Sequence, residues 1–164
     1  MTSFDVLIKR CARKLEKDSD LFTYYNVSAS EVEALLTEQI TGYLYDAIDI
    51  LYSKCEPVVD MYNYNEELME FNFDLTKREI GLLADLMRQV YYERQEALLG
   101  AFKIRMTPSD LNHVTPSTER STFLKLVQDI RIENEEAISS YVSSDRKTNK
   151  RRTIDYSQYS DDED

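Results

Sequence analysis

The chain has 164 residues, with 20 basic and 31 acidic side chains and a formal net charge of −11. This length makes one domain of ordinary size, and the acidic surface repels duplex DNA and anionic lipid. Glycine and proline occur only three times each, and no apolar run approaches the length of a membrane span. We therefore expect long helices, no membrane contact and no non-specific binding to DNA.

Apolar residues at helical spacing predict the first two helices. The first covers about residues 4–17, and four apolar residues share one of its faces: Leu7, Ile8, Cys11 and Leu15. A second helix begins behind Ser30 and Glu33, which have the spacing of a capping box, and it runs to about Lys54. Because this helix is broadly apolar, we expect it at the centre of the bundle.

Residues 57–75 lose the helical period. Leu68, Phe71 and Phe73 could lie in a short extended piece or a packed loop, and we expect either a short hairpin or an extended loop near residues 58–73.

Two further helices complete the predicted all-α bundle of about four helices. Thr76 and Glu79 form a second capping box for a helix that runs to about residue 103. A last helix begins near Pro116 and frays near Ser143. Six residues on the apolar stripes of the long helices are expected in the core: Leu36, Leu44, Leu83, Met87, Leu124 and Val127.

The composition changes after residue 145. The helical body, residues 1–145, is followed by an arm, residues 146–164, with almost no aliphatic side chains. Its five basic and five acidic residues cancel, so the body carries the whole charge of −11. Such a segment cannot bury enough apolar surface to fold alone, and we expect it to be disordered when free.

The sequence predicts no catalytic residue, no metal site and no cofactor. The single histidine, His113, lies in a polar loop without a nucleophile context, and no glycine-rich phosphate loop occurs. Acidic pairs such as Glu66 and Glu67 lack the spacing and the loop glycine of a calcium site, and solvated surfaces explain them better. Cys11 and Cys55 are interpreted as reduced thiols, since nothing in their spacing requires a disulfide.

Aromatic residues give two further signals. The chain has 12 tyrosines and no tryptophan, which suits either protein interfaces or the edge of the core. In the arm, Ile154, Tyr156 and Tyr159 stand among polar residues, behind Arg151 and Arg152. These three can pair with a sheet edge or fill a partner's groove, with the charges setting the register. The alternatives are a solubilising linker and a nucleic-acid patch formed by KTNKRR.

The region of about residues 70–140 resembles the small neck proteins of tailed bacteriophages of Gram-positive hosts. The resemblance rests on an Asp-Leu-Thr helix entry with Glu-Ile, a Leu-Ala-x-Leu-Met stripe, and a Ser-x-Asp-Leu/Tyr loop before a Ser/Thr-rich helix entry. The matching residues are Asp74, Leu75, Thr76, Glu79, Ile80, Leu83, Ala84, Leu86, Met87, Ser109 and Asp110.

The resemblance implies a head-to-tail connector of the virion that assembles in the host cytoplasm. Such adaptors form homo-oligomeric rings under the portal protein, contact the next neck or tail protein (a stopper or terminator), and extend the DNA channel without binding DNA specifically. They commonly reach the portal with a C-terminal arm. The corresponding partner-binding residues would be those of the arm: Arg151, Arg152, Ile154, Tyr156 and Tyr159.

Two other functions stay open at this point. The first is a small regulatory protein that binds nucleic acid or a partner through the basic segment of the arm. The second is an enzyme, or an accessory to one, that uses its acids with a metal; metal-dependent stabilisation would distinguish it.

Overall fold

The computed structural model describes residues 1–15, 26–105 and 117–153. Within these ranges the chain forms four long helices and one small sheet, which confirms the predicted all-α bundle. In chain order the elements are β1 (Thr2–Ser3), α1 (Phe4–Leu15), α2 (Ala29–Lys54), β2 (Tyr64–Asn65), β3 (Glu70–Phe71), α3 (Lys77–Arg105) and α4 (Ser117–Val142).

Helix α3, rather than α2, is the centre of the bundle, because it packs against α1, α2 and α4. Its buried residues are on more than one face, as a helix with three neighbours requires: Leu82, Leu83, Ala84, Leu86, Met87 and Val90. Helix α1 runs parallel to α3, because Thr2 before α1 accepts a hydrogen bond from the Leu75 N–H before α3, and Lys14 near the end of α1 bonds to Asp85. Helix α4 runs antiparallel to α3, because Arg78 at the start of α3 bonds to Ser140 while Glu96, further along α3, bonds to Arg131.

The two capping boxes lie at helix starts, but the first begins two residues earlier than predicted. The sequence contains two overlapping Ser-x-x-Glu patterns, and α2 uses Ser28 and Glu31 in place of Ser30 and Glu33. The Ser28 N–H donates to Glu31 Oε2 over 2.9 Å. Starting there also adds a helical hydrogen bond from Val32 N–H to the Ser28 carbonyl, at 2.9 Å.

The predicted hairpin near residues 58–73 is confirmed, and it has an additional strand. Strands β2 and β3 pair antiparallel, with Tyr64 opposite Phe71. Strand β1 pairs with the other edge of β3, which gives the order β1-β3-β2. The Phe4 N–H donates to the Met69 carbonyl over 2.8 Å, so the sheet fixes the start of α1.

The core contains four of the six residues predicted for it: Leu44, Leu83, Met87 and Val127. Leu36 and Leu124 are half-buried instead. Both lie near the N-terminal ends of their helices, in stretches where most side chains are exposed or half-buried. A helical stripe predicts which side faces the bundle, but not how far along the helix the neighbours extend.

Replacing Leu83 by alanine should destabilise the protein by about 2–5 kcal/mol, because Leu83 is fully buried in α3 and the change leaves a cavity. The matched control is Leu98→Ala on the same helix, where the side chain is 54% exposed. Urea unfolding followed by circular dichroism gives both values. Equal destabilisation by the two changes would contradict the assigned core.

Candidate partner-binding surfaces

A short turn follows α4 and leads toward the predicted partner-binding residues. We call residues 143–152 the basic turn. The Arg152 N–H donates to the Ser143 carbonyl, and the Asp145 N–H donates to the Lys150 carbonyl, each over 2.8 Å. An antiparallel bridge pairs Ser144 with Arg151 between these bonds. The chain therefore reverses direction within a few residues of the end of α4.

The side chain of Asp145 organises the tip of this turn. Its Oδ1 accepts hydrogen bonds from the Lys147 N–H at 3.1 Å and from the Thr148 N–H at 2.8 Å. The bonds from Thr148 and Lys147 hold the pKa of Asp145 below its usual value. Asn149 has a φ of 55°, in the left-handed region that asparagine tolerates better than most residues.

A buried ion pair attaches the basic turn to α3. The Glu79 side chain is 0% exposed, and the Arg146 side chain is 18% exposed. Arg146 Nε donates to Glu79 Oε1 over 2.7 Å, and its Nη2 donates to Glu79 Oε2 over 3.0 Å. The same guanidinium donates to the Asp74 carbonyl over 2.6 Å. Two-point pairing of this kind fixes the orientation of the arginine as well as its position.

The Glu79 carboxylate has enough hydrogen bonds to remain charged although it is buried. Burial raises its pKa, but hydrogen bonds from Arg146 and Thr76 outweigh burial, and the pKa lies below its usual value. The Tyr141 hydroxyl also donates to Glu79 Oε1, over 3.2 Å. Burial and the neighbouring carboxylate raise the pKa of Tyr141, so this tyrosine keeps its proton as a donor.

The predicted site residues fall into two groups. Arg151 and Arg152 are exposed on the basic turn, together with Lys147 and Lys150. Ile154, Tyr156 and Tyr159 lie outside the described residues. The arm was expected to begin at residue 146, but Arg146 contacts the body, so the described structure continues through the basic turn. The contact between Arg146 and Glu79 was not predicted from the sequence.

A second candidate surface consists of four tyrosines on α2 and the β2 segment. Tyr45 stacks on Tyr64 with ring centroids 5.5 Å apart, and Tyr52 stacks on Tyr62 at 4.5 Å. The Tyr62 hydroxyl donates to Asp49 over 2.7 Å, and this bond raises the pKa of Tyr62 to about 12. Of these four rings only Tyr62 is exposed and the other three are half-buried, so most of the surface is the edge of the aromatic core.

Other tyrosines pack within the body. Tyr43, Tyr91 and Tyr141 are buried, and Tyr92 is half-buried beside Tyr91. The pair Tyr24–Tyr25 lies outside the described residues. The sequence allowed two uses for the tyrosines, protein interfaces or the edge of the core. These four belong to the core or its edge.

The described residues contain no group of three or more His, Cys, Asp or Glu side chains arranged to hold a metal ion. Cys11 and Cys55 are both free thiols. Burial raises the pKa of the Cys11 thiol to about 12 and also raises that of Cys55. His113 lies outside the described residues.

Across residues 1–15, 26–105 and 117–153, no helix is both long and apolar enough to cross a lipid bilayer. No family model, curated protein or solved structure matches the chain.

Proposed function

We propose that this chain is a head-to-tail connector of a tailed bacteriophage, a structural component that forms a ring between the portal and the tail. The resemblance of residues 70–140 to neck proteins motivates this function. The observation that carries it is the basic turn, because Arg146 holds the start of the C-terminal arm against α3. The arm therefore leaves the body at a defined point, as a segment that reaches a neighbouring protein should.

Anchoring the turn favours binding by the residues that follow it. Fixing the backbone of a residue costs about 1–2 kcal/mol, and residues 143–152 are already held in place before any partner binds. Only Ile154, Tyr156, Tyr159 and their neighbours then have to be ordered against the portal. In a ring, the same weak contact is repeated in every subunit, which raises the overall affinity.

The distribution of charge is also suited to a DNA channel. Acidic side chains outnumber basic ones on the body, and a wall that attracted DNA would retard its passage. The exposed cations of the basic turn lie together at one end of α4, where they can contact an acidic partner surface.

A regulatory protein that binds nucleic acid is the second candidate function. The observation in its favour is the group of four exposed cations on one ordered turn: Lys147, Lys150, Arg151 and Arg152. Against this function, acidic residues outnumber basic ones on the folded body, which repels DNA. Four phosphate contacts from the turn alone would give weak, salt-sensitive binding.

One co-sedimentation experiment distinguishes these functions. The purified full chain is mixed with capsids that carry a portal but no neck, and separately with duplex DNA at about physiological salt. We expect it to sediment with the capsids and not with DNA. Capsids without a portal are the control. Binding to DNA that disappears in Arg151→Ala/Arg152→Ala, without binding to capsids, would reverse the assignment.

A further inference from the structure

A groove lies between the C-terminal ends of α2 and α4, next to the basic turn. Its volume is about 780 Å³, and Cys55, Ile138 and Val142 provide its apolar lining. The Val142 side chain is 44% exposed there. The ion pair between Lys54 Nζ and Glu135 Oε1, at 2.8 Å, borders the groove, and Ser143 lines the end nearest the basic turn. The groove thus offers apolar surface with a polar rim.

The hydrogen bonds of the basic turn place Arg152 next to Ser143, which lines one end of this groove. Because Arg151 and Ser144 pair antiparallel and Arg152 N–H bonds to the Ser143 carbonyl, residues 151–152 run antiparallel to residues 143–144. From Val142 to Glu135 the helix rises about 10 Å, at about 1.5 Å per residue. An extended chain covers this length in about three residues. Three residues beyond Thr153 are therefore enough to span the groove.

We propose that residues 154–156 of this chain occupy the groove in the free protein. In an extended segment, Ile154 and Tyr156 share one side and Asp155 takes the other. The two apolar side chains then cover Val142 and Cys55, and the carboxylate of Asp155 stays in water. This inference concerns the isolated chain, and it holds whether or not the connector function is correct.

The contact makes the groove a competitor for any partner of the arm. A partner that binds Ile154 and Tyr156 must first release them from the groove, so its apparent affinity falls in proportion to the fraction of released molecules. The arm would thereby be kept from non-productive contacts before assembly. Tyr159 is not needed for this contact and remains available for a first encounter.

Cys55 provides a direct probe of the groove. We compare its rate of labelling by a small thiol reagent in the full chain and in Ile154→Ser/Tyr156→Ser. Cys11 is fully buried and contributes no fast labelling. We expect labelling to be roughly tenfold faster in the double variant, which corresponds to a closing free energy of about 1.4 kcal/mol. The matched control, Ser157→Ala/Ser160→Ala, should label at the rate of the unchanged chain. Equal rates in all three proteins would overturn the proposal.

A disulfide test identifies which molecule supplies the segment. In Tyr156→Cys, mild oxidation should form a bond to Cys55 within one chain, seen as a monomer of altered mobility on a non-reducing gel. Thr148→Cys, at the tip of the basic turn, should not form it. Bonds found only between two chains would mean that a second copy fills the groove, and this outcome contradicts occupation by the chain's own segment.

Discussion

Replacing Arg146 by methionine should destabilise the protein by about 3 kcal/mol at neutral pH, because Glu79 would lose its cation while its carboxylate stays buried. Removing one partner of a buried pair typically costs about 3–5 kcal/mol, and the remaining bonds from Thr76 and Tyr141 place this case at the lower end. Urea unfolding at pH 7 measures the change. Arg151→Met is the matched control, since Arg151 is exposed and its replacement should leave stability unchanged.

The double variant Glu79→Gln/Arg146→Met separates the loss of the pair from the loss of packing. It removes both charges, so it should be more stable than Arg146→Met alone. If the two variants are equally unstable, the buried charge is not the cause of the destabilisation.

The pH dependence of the Arg146→Met effect follows from the pKa of Glu79. In the unchanged protein this pKa lies below the usual value of 4.5, so the ion pair stabilises fully above that value and the contribution is lost as the pH falls through the folded pKa. Without Arg146, burial is less opposed and raises the pKa of Glu79. In the variant, Glu79 therefore takes up its proton at a higher pH than in the unchanged protein, and this removes the unpaired buried charge. The difference in unfolding free energy between the two proteins should then shrink between pH 7 and pH 4. A constant difference would contradict this origin.

The helices could be predicted from the sequence because the residue patterns that specify them, apolar stripes and capping boxes, are local. The stripe of Leu7, Ile8, Cys11 and Leu15 is buried in α1 as predicted, and Thr76 and Glu79 cap α3 in the predicted way. The predicted start of α2 is wrong because two serines two positions apart, Ser28 and Ser30, satisfy the same local pattern. Strand β1 was missed because two residues have no periodicity, and they form a strand only through their distant partner β3.

The main contact of the candidate site is long-range, which is why the sequence pattern did not predict it. Glu79 and Arg146 are separated by 67 positions. A local signal existed, because Glu79 stands four residues before Leu83 and eight before Met87, on the same apolar face of α3. A carboxylate on a buried stripe requires a cation in addition to its hydrogen bonds in the capping box. Which arginine supplies the charge depends on the path of the chain after α4.

This contact also determines where the arm can be cut. A deletion of the whole predicted arm, residues 146–164, would remove Arg146 and leave Glu79 without its cation. Loss of function in such a protein could then result from unfolding alone. A deletion that begins after Thr153 retains the basic turn and its bonds to the body.

Deleting residues 154–164 should leave a folded helical protein that no longer attaches to capsids, because Ile154, Tyr156 and Tyr159 are the apolar residues proposed to order against the portal. Main-chain pairing and two buried rings have to offset an ordering cost of about 1–2 kcal/mol per residue, so removing them leaves no compensating contact. Circular dichroism and urea unfolding check the fold, and sedimentation with portal-bearing capsids checks attachment.

Point variants then separate the aromatic contacts from the length and charge of the arm. Tyr156→Ser/Tyr159→Ser should weaken attachment without changing helix content, whereas Ser157→Ala/Ser160→Ala, in the same segment, should attach normally. Labelling of Cys55 is measured on the free protein and tests only whether Ile154 and Tyr156 cover the groove. Its result therefore does not depend on attachment to capsids. If the truncated protein still assembles into infectious particles, the arm is a linker and the connector must reach the portal through the helical body.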